Sequence, residues 1–214
     1  NPIIISGGGV FYSDAMDELG NFAVKHNIPV TQTVMGYSTM KKDHSHFVGP
    51  IGGLGGKAAN NLAKETDLAI CIGTKLADFT TGSWANFENP EFKLVSINIA
   101  RHDANKHLAE AVIGDAKVTL TELSNAIGDW KSSDNWHKKS QDELKSWNEY
   151  VDKESGPTNQ ELPSYAHAVG AIYRNSDPTD IAVTAAGGLV GEVVQVWRPK
   201  ELNTHETEWG FSCM

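Results

Sequence analysis

The sequence has little cysteine, no basic run and no long apolar stretch, and each shortage closes off a class of function. Only Cys71 and Cys213 occur in 214 residues, too few for a disulfide framework. Cys71 sits in the apolar run Leu68-Ala69-Ile70-Cys71-Ile72, where a reduced thiol behaves as a small hydrophobe. That reads as a cytoplasmic chain. Eighteen Lys and Arg stand against 27 Asp and Glu, a net charge of -9. Affinity for nucleic acid rests on cations neutralising phosphates, so no nucleic-acid partner is expected. No apolar run approaches the roughly 20 residues that cross a bilayer. The opening Asn1-Pro2-Ile3-Ile4-Ile5 lacks a basic leader or cleavage pattern, so no membrane partner is expected either. Asn1 is not an initiator Met, and Trp209 to Met214 stops in apolar and small residues without a polar tail. Natural termini are usually exposed and poorly ordered, so both ends read as cuts within a longer polypeptide.

What is present alternates between strand and helix. Pro2 to Ser6 is an unbroken apolar run closed by Gly7-Gly8-Gly9, the signature of a strand buried on both faces. Ser13 is the expected N-cap of a helix with Ala15, Leu19, Phe22, Ala23 and His26 on one face. A second strand is expected at Val30 to Thr33. Ala58, Ala59, Leu62 and Ala63 mark another helix, followed by strands at Leu68 to Ile72, Leu94 to Ile99 and Ala111 to Gly114. A helix stripe at Val118, Leu120, Leu123 and Ile127 follows. The order predicts an α/β fold: a Rossmann-like open, mostly parallel sheet with helices on both faces. Trp136, Leu144, Trp147 and Val151 fall on one face of a helix from Ser133 to Asp152, which a polar linker to Gln160 follows. Beyond it Pro163 opens a helix through Ala166, Val169 and Ile172, and Asp177 to Asp180 is a turn. Ile181 to Thr184 is a strand and Leu189 to Trp197 a helix stopped by Pro199. That is an incomplete second α/β unit. The expected organisation is a central domain over 1–130, a helix and linker over 131–162, and the truncated start of another domain over 163–214.

Several motifs carry two readings. Gly7-Gly8-Gly9 lies between strand and helix, where amides approach a phosphate, but the dinucleotide fingerprint wants Gly where Tyr12 stands. The acid that such sites direct at the ribose has no counterpart in Ile97-Asn98-Ile99-Ala100. A structural turn is the preferred reading, and a stand-alone nucleotide-binding module is the alternative from another class. Gly49 to Gly56 is a flexible loop and no P-loop, since Lys57 is followed by Ala58. His44 and His46, with Asp43 to orient one, could ligate a metal. A solvated loop pair is preferred because no further Cys, Asp or Glu stands at ligand spacing. His102-Asp103 with His107 reads the same way. No metal-binding residue is assigned.

The string Gly52-Gly53-Leu54-Gly55-Gly56 before an Ala/Asn helix, Asp67 opening an apolar strand, and Gly73-Thr74-Lys75-Leu76-Ala77-Asp78-Phe79-Thr80-Thr81-Gly82 come in that order. Together they resemble the central domain of thiamine-diphosphate enzymes such as acetolactate synthase. Three blocks are more specific: Asp78 to Trp84, Ala185-Ala186-Gly187-Gly188-Leu189 with Gly191-Glu192, and Glu208 to Met214. These are similar to the trihydroxycyclohexanedione hydrolases of myo-inositol catabolism, and the likeness runs along essentially the whole chain.

The resemblance implies a homo-oligomeric enzyme of three domains, acting on a small cyclic dione. Hydrolytic cleavage of a carbon-carbon bond would open 3D-(3,5/4)-trihydroxycyclohexane-1,2-dione to 5-deoxyglucuronate, with thiamine diphosphate as electron sink and Mg as its anchor. A carboligase or decarboxylase of 2-oxo acids is the alternative within the family. The resemblance places Gly187, Gly188 and Leu189 near the cofactor, and Gly210, Phe211, Ser212, Cys213 and Met214 at the start of the segment lining its site. The family's activating Glu and its metal motif have no counterpart here, so the catalytic residues are unassigned and the chain alone is expected to be inactive. Some relatives hold FAD or ADP in the central domain. Asn98 and Ala100 stand where those relatives tend to carry acids, which speaks against a flavin.

Overall fold

A computed structural model describes residues 1–208. Gly210, Phe211, Ser212, Cys213 and Met214 lie outside the described residues.

The chain begins with β1 (Pro2–Ser6), α1 (Gly8–Tyr12), α2 (Met16–His26), β2 (Val30–Gln32), β3 (Phe47–Pro50), α3 (Lys57–Glu65), β4 (Leu68–Ile72), α4 (Asp78–Thr81), β5 (Lys93–Asn98), α5 (Arg101–Ala104), β6 (Glu110–Ile113) and α6 (Ala116–Ile127). Six of these are strands of one sheet in the order β3-β2-β1-β4-β5-β6, and every pairing is parallel. A parallel sheet needs helices on both faces, and alternate side chains of the strands supply both. Ile4, Ile70, Ile72 and Ile97 pack with Leu19, Phe22 and Leu120 from α2 and α6. Ile3, Ile5, Ala69 and Cys71 pack with Ala58, Leu62 and Trp136 on the other side.

The rest of the chain runs through α7 (Asp134–Glu154), α8 (Tyr165–Asn175), β7 (Ala182–Thr184), α9 (Gly188–Val196) and β8 (His205–Thr207). Ser133 caps α7 by accepting from the Trp136 amide at 3.2 Å. Trp136 Nε1 donates to the Pro2 carbonyl at 2.8 Å, which ties α7 to the first strand. Strands β7 and β8 form a separate parallel pair. This small unit closes its apolar side chains against α7, with Val169, Tyr173, Val193, Val196 and Trp197 around Val151. Val190 and Val194 of α9 meet Val34 and Leu54 of the large sheet's loops.

Several local expectations are corrected. Ser13 does not cap α2. It closes α1, the next residue Asp14 turns with φ +50°, and α2 starts at Met16. Phe47–Pro50, partly assigned to a loop, is the edge strand beside β2, a position that tolerates its proline. Val118 is exposed because it lies two residues from buried Leu120, on the opposite side of α6. Ile172 is likewise exposed, since its neighbour Tyr173 takes the buried position. The polar triplet His205-Glu206-Thr207 forms β8, a strand without an apolar run to announce it.

Candidate functional site

In an open parallel sheet the crevice for a ligand lies beyond the carboxyl ends of the strands where the strand order reverses. Here that point is between β1 and β4. The loops following these strands fill it with main chain. The Gly7 amide donates to the Ile72 carbonyl and the Gly9 amide to the Gly73 carbonyl, both at 2.9 Å. A Cβ on Gly7 would stand 2.4 Å from Gly73 O, and one on Gly9 2.6 Å from Gly73 Cα. The glycine triplet therefore lets two loops cross in contact. Asn98, at the end of β5, is buried, donates from Nδ2 to the Thr74 carbonyl at 3.0 Å and accepts the Ala100 amide at 2.9 Å. Asn98 is thus an amide spent on backbone, and this strand end presents no acid to a ligand.

The second glycine loop is also packed. Asn60 accepts the Gly52 amide at 2.9 Å and donates to the Gly52 carbonyl at 3.0 Å. A Cβ on Gly56 would lie 2.6 Å from Trp147 Nε1.

The histidine pair is not a solvated one, which corrects that expectation. His46 is buried, its Nε2 donates to Asn27 Oδ1 at 3.1 Å, and its ring stacks on His137 at 4.2 Å. Asn27 Nδ2 faces the Ser132 carbonyl and Asp134, which fixes the amide's orientation and so the His46 tautomer. Burial, with the neighbouring His137 and His44, brings His46 down to about 4, and burial lowers His44. His107 meets the Leu76 carbonyl at 3.2 Å and the Trp84 ring edge-on, while Asp103 pairs with Lys106. Among the described residues no group of three or more His, Cys, Asp or Glu could hold a metal ion. Burial pushes the Cys71 thiol up, which leaves it without the thiolate that reactivity needs.

Gly187, Gly188 and Leu189 have the opposite character: all three are exposed. They join β7 to α9, with Gly187 as N-cap at φ +120° and no side chain capping the helix. A Cβ on Gly187 would meet nothing within 4 Å, and one on Gly188 only Tyr165 Cε2 at 3.6 Å. A helix start leaves its first amides without intrahelical partners, and no side chain caps them here.

Residues 1–123 match the family model described as thiamine pyrophosphate enzyme, central domain. The chain belongs to the thiamine pyrophosphate enzymes. The six-stranded sheet is thus the central domain of such an enzyme. The whole chain is 34% identical over 240 residues to the 3D-(3,5/4)-trihydroxycyclohexane-1,2-dione hydrolase of Clostridium perfringens strain 13, covering 37% of that protein. It is 35% identical over 240 residues to the Clostridium botulinum Alaska E43 protein of the same name and 34% over 237 residues to the Bacillus anthracis one, again with 37% of each covered. The chain spans 37% of the length of these curated relatives. No helix among the described residues is long and apolar enough to cross a membrane.

Proposed function

We propose that this chain belongs to a thiamine-diphosphate-dependent enzyme that hydrolyses a carbon-carbon bond of 3D-(3,5/4)-trihydroxycyclohexane-1,2-dione, yielding 5-deoxyglucuronate in myo-inositol catabolism. The observation that carries this reading is the match of the entire chain, second unit included, to relatives bearing that hydrolase name. The 2-oxo acid carboligase reading gains nothing from those names. In this proposal 1–130 is the central domain, 131–162 the helix and linker, and 163–214 the start of the cofactor-binding domain. The enzyme is cytoplasmic and homo-oligomeric.

The residues present fit one part of the cofactor. The uncapped start of α9 and the space over Gly187 and Gly188 suit the anionic diphosphate, because amides and helix dipole both favour negative charge there. Gly187, Gly188 and Leu189 are the proposed contacts, joined by Gly210, Phe211, Ser212, Cys213 and Met214. Bound thiamine diphosphate supplies an electron sink for the carbon released by cleavage. The chain's own part is to orient the diphosphate through backbone amides and to cover it with Leu189. Mg is assigned to residues beyond those described, and no flavin is included.

The test is turnover by the full-length enzyme with thiamine diphosphate and Mg. Consumption of the cyclic dione with release of the ring-opened acid is expected. Steady turnover of pyruvate or glyoxylate without dione opening overturns the reading. The 214-residue chain alone should give no saturable calorimetric heat with the cofactor in the micromolar range.

A further inference from the structure

Helices α8 and α9 lie side by side and run the same way. Val169 and Tyr173 of α8 pack with Val193, Val196 and Trp197 of α9, and one end earlier a Cβ on Gly188 would lie 3.6 Å from Tyr165 Cε2. The two helix starts therefore share one end of the second unit, and each carries the positive end of a helix dipole. They are finished differently. Ser164 accepts the His167 amide at 3.3 Å, and its own amide donates to His167 Nδ1 at 3.2 Å, a reciprocal cap that satisfies two donors. At the start of α9 stands Gly187, with no side-chain cap.

Tyr165, Val169 and Tyr173 are four residues apart and form one stripe along α8. Val169 and Tyr173 are buried against α9, whereas Tyr165 is 62% exposed, because α9 meets it with Gly188, which has no side chain to cover the ring. Its hydroxyl makes no hydrogen bond among the described residues. We propose that Tyr165 is a cofactor-binding residue, its hydroxyl donating a hydrogen bond to the diphosphate held at the start of α9. The inference rests on the thiamine-diphosphate reading above and adds a side-chain donor beside a turn that otherwise offers backbone. A phenol suits the task, since a hydrogen bond from a neutral hydroxyl to an anionic oxygen is among the stronger ones.

The test uses the full-length enzyme, stripped of cofactor, with Mg present. Calorimetry compares wild type and Tyr165→Phe in binding thiamine diphosphate, and inorganic pyrophosphate is titrated in parallel. Both Kd values should weaken about tenfold, the loss of one hydrogen bond to a charged group, because both ligands present the diphosphate. The cofactor-free melting temperature should not move, since the side chain is exposed, and a large drop would assign Tyr165 to the fold instead. Equal affinity of both proteins for thiamine diphosphate overturns the role of Tyr165 and leaves the cofactor reading intact. A loss confined to thiamine diphosphate, with pyrophosphate unaffected, overturns the diphosphate contact. No saturable binding by wild type overturns the cofactor reading, and this inference with it.

Discussion

Gly52 and Phe79 meet main chain to main chain: a Cβ on Gly52 would stand 1.9 Å from the Phe79 carbonyl oxygen, which accepts the Gly53 amide at 2.7 Å. The contact joins the glycine loop before α3 to α4. Gly52 also holds φ +108°, a conformation that L side chains rarely adopt. Gly52→Ala should therefore destabilise by about 3 kcal/mol, combining backbone strain with a clash that neither loop can relieve. Urea unfolding of the variant measures it, and a loss under about 1 kcal/mol contradicts the close approach.

Ile70 lies in the middle of β4, 7% exposed, between Ile4 of β1 and Val95 of β5. Ile70→Asp places an unpaired carboxylate against Leu123 and Ile127 of α6, which pack on that cluster, at a cost of about 3–5 kcal/mol. Circular dichroism melts should show a large drop or no cooperative transition. A wild-type melting curve would refute the buried-strand assignment.

Acid should weaken the fold through His46. Its folded value of about 4 lies below the ordinary 6.5, so the unfolded chain takes up the proton first. Stability is then lost as pH falls from about 6.5 towards 4. His205, brought down to about 4 by burial, acts in the same direction. His44, also lowered by burial, adds to the same trend. His46→Gln keeps a donor for Asn27 and removes one of these titrations. The variant's denaturation midpoint should fall less than wild type between pH 7 and pH 4.5, and identical slopes would remove His46 from the explanation.

Limited proteolysis should cut first after α7. Ser155 is held, since its carbonyl accepts from Arg174 and stands 2.1 Å from where a Cβ on Gly170 would be. The stretch from Asn159 to Ser164 is exposed throughout and carries no regular structure. Cleavage of exposed irregular chain is the general rule. Mass spectrometry of the earliest products should place the cut at 157–164, and a first cut within Leu68 to Gly82 contradicts this.

The buried strands were legible because a doubly covered parallel strand must be apolar at every position, and Pro2 to Ser6 and Leu68 to Ile72 are so nearly continuous that no other element suits them. Helix faces such as Leu19, Phe22, Ala23 and His26 were legible for the same local reason, a 3.6-residue period. The turn from Thr184 to Gly188 was legible from its glycines, which no following helix start would waste. Two strands were not: Phe47–Pro50 and His205–Thr207 are defined by hydrogen bonds to β2 and β7, and such pairing leaves little trace in a short polar or proline-bearing segment, whereas the apolar edge strand at Ala111 to Ile113 was legible. The glycine loops showed that the backbone needed room, and only tertiary contact decided that Gly7 and Gly9 give it to Gly73 rather than to a phosphate. His46 and Tyr37 look like ordinary surface residues in sequence. The ring stacked on His46 and the charge beside Tyr37 come from elements more than 80 residues away, His137 for one and Arg198 for the other, distances over which no local pattern carries information.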